Sequence, residues 1–264
     1  MGTTTARRRP GLPRPDADRR LAARLLAAVL AFALAAVPCA VLLVLVEARW
    51  APLARLDQDA ALTLHRVVLA HPGRLRAARM ASDYLWDPWT MRFLVAITVG
   101  WLLARRAWRL ALWAALTVTA AGVVGLLAKL AVARARPHLA DPVAHAGGYS
   151  FPSGHAMTAA VSCAVLLLVL LPVVPLALRP VAWLLAGCSV VGVGFSRVAL
   201  GVHWVSDVLG GWLLGLALVG ATAWAFDVWR AESGLVVPRL TEGLEPELAG
   251  QEAPEPVLAA GGGG

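Results

Sequence analysis

Apolar residues in this chain come in long runs separated by short polar links. The runs occupy about residues 25–46, 89–104, 110–129, 156–176, 181–196 and 206–226. A helix rises about 1.5 Å per residue, so roughly 20 apolar residues span a bilayer core. Several runs fall near the lower limit of about 17, and the second needs Trp86 and Trp89 as an interfacial anchor. The pattern predicts an all-α polytopic membrane protein, a bundle of six transmembrane helices. Residues 47–88 form a long connection. Within it, LDQDAALTLHRVVLAH repeats apolar residues at helical spacing, which predicts a short amphipathic helix at the membrane surface.

The two ends lack any such period. Residues 1–20 are rich in Arg, Pro and Thr, and residues 232–264 in Glu, Pro, Ala and Gly. Both are expected to be disordered tails. The domain is expected over 21–231, with a motif-bearing core at 120–226. Arginines precede the first apolar run as they precede a signal peptide, but the run is too long for a signal core and is expected to be retained.

Composition sharpens the class. Mean hydropathy is +0.69 and 15% of residues are charged, against about a quarter in soluble domains. The net charge of +8 is mostly arginine, and no groove-reading or base-stacking motif accompanies it, so nucleic acid is excluded as a partner. The arginines instead set topology. Seven precede the first run, Arg105, Arg106 and Arg109 fill the second link, Arg179 the fourth, and Arg230 follows the last run. With six crossings all these segments share one side, which the positive-inside rule makes cytoplasmic. Both tails are then cytoplasmic, and connections 47–88, 130–155 and 197–205 meet on the outer face. Cys39, Cys163 and Cys188 lie in apolar runs without disulfide or metal-ligand spacing and read as packing residues. Gly210, Gly211, Gly215 and Gly220 in the last run suit close helix packing.

Three clusters fall on that outer face: Lys129, Arg136 and Pro137; PSGH at 152–155; and SRVALGVHWVSD, which supplies Ser196, Arg197, His203 and Asp207. Lys129, Arg136 and Arg197 are three cations at a membrane boundary with Asp207 as the only acidic neighbour. Such charges are costly unless they serve an anion, and arginine's fork matches phosphate. PSGH reads as a helix start, with Pro152 or Ser153 at the cap. The N–H groups of Ser153, Gly154 and His155 would then face an anion that glycine allows to come close. Lys129 is the only lysine among 24 basic residues. Its thin stem places a compact charge on one oxygen where a guanidinium need not fit. His203 and Asp207 are four apart and share a helical face. A carboxylate on one imidazole nitrogen leaves the other a better nucleophile, and His155 is placed to protonate a leaving oxygen. His65 and His71 read as structural or solvated. His138 and His145 lie in the loop between the first two clusters, with contact to a headgroup left open. Asp141 beside them lacks a regular ligand spacing, so no metal site is expected.

On these three clusters the sequence resembles the type 2 phosphatidic acid phosphatases (PAP2), lipid-phosphate phosphatases related to vanadium haloperoxidases. The family pattern is K-x6-RP, PSGH and SR-x5-H-x3-D. It appears here as KLAVARARP, PSGH and SRVALGVHWVSD without a departure, and the resemblance covers about residues 50–226. It implies a six-helix core, a phosphohistidine at His203, His155 as acid and then base, and Asp207 orienting His203. It also implies phosphate binding by Lys129, Arg136, Ser153, Gly154 and Arg197, with no metal and no other cofactor. The soluble haloperoxidase branch holds vanadate in an equivalent pocket; six membrane spans argue against that branch.

The expected function is hydrolysis of a lipid mono- or diphosphate at the outer face of the cell membrane. Polyprenyl diphosphate, phosphatidic acid and phosphatidylglycerol phosphate all fit. A lipid phosphotransferase using the same intermediate is the first alternative, and a non-catalytic lipid-binding or transport protein the second. The intact His155, His203 and Asp207 weigh against the second, because binding alone needs neither nucleophile nor acid. The sequence does not choose among lipids and does not set the oligomeric state.

Overall fold

The computed structural model describes residues 15–233. Among them are eight α-helices and no strand: α1 (Pro15–Glu47), α2 (Ala51–Leu69), α3 (Pro72–Met80), α4 (Pro88–Ala104), α5 (Trp108–Val132), α6 (Gly154–Leu170), α7 (Arg179–Ala199) and α8 (Val205–Glu232). A π-turn, Ala81–Leu85, joins α3 to α4, and a 3-10 turn, Leu176–Leu178, leads into α7. The six apolar runs correspond to α1, α4, α5, α6, α7 and α8. Four segments are long and apolar enough to cross a membrane: Ala22–Glu47, Trp108–Val132, Leu176–Ala199 and Val205–Glu232. The other two runs form helices of 17 residues, α4 and α6. Length and composition thus mark four crossings among the described residues, two fewer than expected. The fold is all-α and of membrane type. α1 opens at Pro15, inside the stretch assigned to the N-terminal tail, while residues 1–14 and 234–264 lie outside the described residues.

Local chemistry sets the helix ends. Proline occupies the first turn of α2, α3, α4 and α7, where its missing N–H costs nothing and its fixed φ suits a helix. Asp87 caps α4 by accepting from the N–H of Trp89 at 2.8 Å. α5 ends on Ala133 in the left-handed conformation (φ 48°), whose N–H donates to the carbonyl of Lys129 at 3.0 Å. A left-handed residue at this place closes off an orphan carbonyl and turns the chain. Lys129 therefore sits in the last turn of α5, and the chain leaves sharply toward Arg134 and Arg136.

α6 lies centrally and packs against α4, α5, α7 and α8. Its Val161, Val165 and Val169 form the core with Leu110 and Trp113 of α5 and Phe226 of α8. Between helices in lipid, hydrocarbon offers no net hydrophobic gain, so close fit holds the bundle together. At Gly211 of α8 a Cβ would stand 2.7 Å from the carbonyl oxygen of Ser153 and 3.1 Å from the nitrogen of Met157. The start of α6 thus lies directly on α8. The buried residues of α2 are Asp57, Ala61, His65 and Val68, and the helix packs on α7 and α8. The expected amphipathic helix is present, extending five residues earlier than its sequence signal, and its inward side carries a carboxylate.

Candidate active site

Three helix ends bring the site together: the end of α5, the start of α6, and the α7–α8 turn. Ser153 is the N-cap of α6. Its hydroxyl accepts from the N–H of Ala156 at 3.5 Å, and Gly154 and His155 form the first turn. The N–H of Ser153 donates to the carbonyl of Asp207 at 2.9 Å. That bond fastens α6 to α8 and removes Ser153 from the expected set of free donors. Gly154 and His155 keep first-turn N–H groups, which have no partner within a helix.

Lys129 reaches across this helix start, its Cε 3.9 Å from where a Cβ on Gly154 would stand. Its Nζ donates to the carbonyl of Tyr149 at 2.8 Å. Arg136 donates to the same carbonyl at 3.2 Å, to Gly147 at 2.9 Å, to Gly148 at 3.0 Å and to Val202 at 2.7 Å. Its Nη1 also lies 3.1 Å from Nε2 of His203. A guanidinium can only donate, so Nε2 must accept and the ring proton belongs on Nδ1. Nδ1 faces Oδ2 of Asp207 at 3.4 Å. His203 is thus held as the tautomer whose free lone pair points toward the cations.

Asp207 is fully buried and well supplied with donors. As the third residue of α8 it reaches back to the N–H of Trp204 at 2.8 Å, a helix-start bond that also fixes the carboxylate. The hydroxyl of Ser150 donates to the same oxygen, Oδ2. The other oxygen takes Nη1 of Arg134 at 2.6 Å. Burial pushes His203 down to about 4. Asp207 opposes this by hydrogen bond and charge, and Arg136 and Arg197 add to it. Burial likewise pulls Arg136 below the usual guanidinium value, with Asp207 opposing.

Arg197 and His155 face the other wall, built by the π-turn and the start of α4. Arg197 is buried; it donates to the hydroxyl of Ser82 at 2.7 Å and lies 3.9 Å from Asp83. Nε2 of His155 is 4.0 Å from Oδ1 of Asp87. The cations therefore have two acidic neighbours beyond Asp207, contrary to the sequence reading. Both come from residues 82–87, whose irregular turn gave no periodic signal.

The expected residues fall into one region, and four further side chains join them: Arg134, Asp57, Ser150 and Ser206. Arg134 forks, with Nη1 to Asp207 and to Ser206 at 2.6 Å and Nη2 to Asp57 at 2.8 Å. Two signals for them exist in the sequence. Arg134 precedes Arg136 by two, so in an extended stretch the two lie on one face. Asp57 shares a helical face with Ala61 and Val68, where a carboxylate requires a partner. His65 is structural, as expected. It is buried between the carbonyls of Ala199 at 3.0 Å and Asp141 at 2.9 Å. His71 is exposed at the start of α3. The exposed His138 and His145 line a cavity of about 340 Å³ that also includes Arg136. Among the described residues no group of three or more His, Cys, Asp or Glu is placed to hold a metal ion.

These features define a helical membrane protein in which clustered cations stand beside an oriented histidine. Residues 110–231 match the PAP2 superfamily. Phosphatidylglycerophosphatase B of Bacillus subtilis (strain 168) is 38% identical over 143 residues, covering 52% of this chain and 66% of that protein. Undecaprenyl-diphosphatase of Sulfolobus acidocaldarius is 30% identical over 146 residues, covering 52% of this chain and 62% of that protein. The chain thus spans just under two thirds of each curated relative. The crystal structure of the first transmembrane PAP2 type phosphatidylglycerolphosphate phosphatase from Bacillus subtilis aligns with a TM-score of 0.62 at 28% identity. The alignment covers 73% of this chain and 96% of that one.

Proposed function

We propose that this protein is a membrane phosphatase that hydrolyses a lipid mono- or diphosphate through a phosphohistidine on His203. The observation that carries the reading is the line Asp207–His203–Arg136. One imidazole nitrogen faces a buried carboxylate at 3.4 Å and the other faces a guanidinium at 3.1 Å. A structural histidine has no need of a cation at its free lone pair; a nucleophile attacking a phosphoryl group does, because the cation neutralises the phosphate.

In this mechanism Lys129, Arg136 and Arg197, with the first-turn N–H groups of Gly154 and His155, bind the phosphate oxygens. Ser153 caps and holds that turn. Nε2 of His203 attacks phosphorus, and the P–O bond to the lipid breaks on the far side. His155 gives the leaving oxygen a proton. His155 then takes a proton from water as it attacks the phosphohistidine, so inorganic phosphate leaves and His203 is restored. Asp207 offsets the positive charge that forms on His203. The site is placed on the outer membrane face with both tails cytoplasmic and six helices crossing, counting the 17-residue α4 and α6. The relatives named for phosphatidylglycerophosphate and undecaprenyl diphosphate support a lipid phosphate or diphosphate as substrate.

The deciding experiment is phosphate release by purified protein from phosphatidylglycerol phosphate, phosphatidic acid and undecaprenyl diphosphate. It is paired with acid-quench trapping of a histidine-bound phosphate. No release from any of the three, or release without His203, sinks the reading.

A further inference from the structure

We infer that Arg134 and Asp57 are a positioning pair that sets the Asp207 carboxylate against His203, so the reactive site extends into α2. This rests on the phosphatase reading of the same site. Asp57 and Asp207 are 1% and 0% exposed. Two buried carboxylates this close repel each other unless a cation lies between them. Arg134 is that cation, bonded to Oδ1 of Asp207 at 2.6 Å and to Oδ2 of Asp57 at 2.8 Å.

The division of bonds gives the pair its effect. Arg134 occupies Oδ1 of Asp207, which leaves Oδ2 to Nδ1 of His203, the N–H of Trp204 and the hydroxyl of Ser150. Asp57 fixes Arg134 in turn. It also holds the start of α8 directly, accepting from the N–H of Ser206 at 2.9 Å and its hydroxyl at 2.5 Å. Arg134 further lies over the ring of Trp204 at 5.8 Å. A residue in α2, outside all three sequence clusters, thereby controls the orientation of the imidazole. The charged and titratable groups around Asp207 are Arg134, Asp57 and His203, with Arg136 beyond His203. Removing Arg134 alone leaves two carboxylates facing each other. Removing Arg134 and Asp57 together leaves Asp207 alone, as the chemistry requires.

The test compares Arg134→Gln, Arg134→Lys, Asp57→Asn and the double variant Asp57→Asn/Arg134→Gln, with assembly checked by gel filtration and thermal unfolding. For Arg134→Gln, kcat falls roughly 10- to 100-fold with KM within about twofold of wild type, as for a residue that orients a reacting group without touching substrate. The acid limb of its pH profile moves upward. Arg134→Lys keeps part of the activity, because an ammonium cannot fork to both carboxylates. The double variant is more active than Arg134→Gln. A merely structural pair would make the double variant as poor as the worse single change or worse. That result, or a loss confined to KM, overturns the proposal. Where Arg134→Gln does not assemble, the lysine and double variants decide it: wild-type kcat for Arg134→Lys, or a double variant that also fails to assemble, overturns it. Wild-type protein that releases no phosphate ends the phosphatase reading instead. The pair is then read from ¹⁵N spectra of His203. Arg134→Gln should shift protonation away from Nδ1, and unchanged resonances overturn the proposal.

Discussion

Lys129 and Arg136 donate to the same carbonyl oxygen, that of Tyr149, at 2.8 and 3.2 Å. Two cations from different sides of a sharp chain turn therefore converge on one acceptor. An ammonium reaches this point on a thin stem that passes close over Gly154. A guanidinium there is wider and meets the helix start. Lys129→Arg should insert and assemble normally yet lose turnover by about a hundredfold, since a misplacement of about 1 Å can cost that much. Initial rates at matched membrane expression measure it. Near-wild-type rates would remove Lys129 from the phosphate site and leave it as an interfacial anchor.

The acid side of the pH profile follows from His203. Its value of about 4, against 6.5 for a free imidazole, keeps Nε2 unprotonated well into mild acid. Loss of kcat/KM from protonation of this residue should fall near pH 4 rather than near 6.5. Stability moves with it. Between about 6.5 and 4 the unfolded chain binds a proton that the folded state refuses, so stability falls as pH falls through that window and levels off below it. An acid limb near 6.5 that coincides with protonation of His203 in ¹⁵N spectra contradicts this.

Gly211→Ala should disturb both the fold and the chemistry. Its Cβ would meet backbone on α6 at 2.7 Å, and backbone cannot rotate aside as a side chain can. Overpacking of this kind costs about 1–3 kcal/mol. Thermal unfolding in detergent should shift down, and kcat should fall because Ser153 and Asp207 are linked across the same contact. Unchanged unfolding and rate would mean that α6 and α8 stand further apart.

Activity should survive excess EDTA. The groups facing the phosphate position are an ammonium, two guanidinium groups and backbone N–H groups, which neutralise an anion without a bridging ion. Orthovanadate should inhibit as a five-coordinate mimic of the transferring phosphoryl group. Complete loss in EDTA that magnesium restores is the opposing outcome.

The loop around His145 should be labelled from outside the cell. Single cysteines placed there and in the second arginine-rich link, near Arg106, should react with an impermeant maleimide in opposite ways. Only the first should react in intact cells. Labelling of the Arg106 site alone would invert the arrangement.

The helices were legible because each crossing is read from one local property, an unbroken apolar run. Lys129, Arg136, His155, His203 and Asp207 were legible because each lies in a compact motif at a helix end. Asp57 was not. Its partner, Arg134, is 77 positions away, and nothing in its own helix beyond a carboxylate on an apolar face marks it. Asp83 and Asp87 escaped for another reason. They sit in a π-turn and a cap, where no period exists to say which way a side chain points. Ser153 shows the same limit from the opposite side. The cap was correctly placed, but its N–H was spent on a carbonyl of α8 that only the three-dimensional arrangement reveals.

The shortness of α6 reaches beyond the protein. Its 17 residues amount to about 26 Å of helix, against a hydrocarbon layer of about 30 Å. A crossing of that length meets a hydrophobic mismatch, which surrounding lipid relieves by thinning. If α6 crosses, thinning at the end where Ser153 and His155 begin the helix would lower neighbouring headgroups toward the cations. A lipid substrate of the proposed kind would then need only to diffuse laterally into the thinned region, its chains still in the leaflet. On the proposed arrangement, turnover should depend on acyl-chain length in the host membrane as well as on the substrate itself.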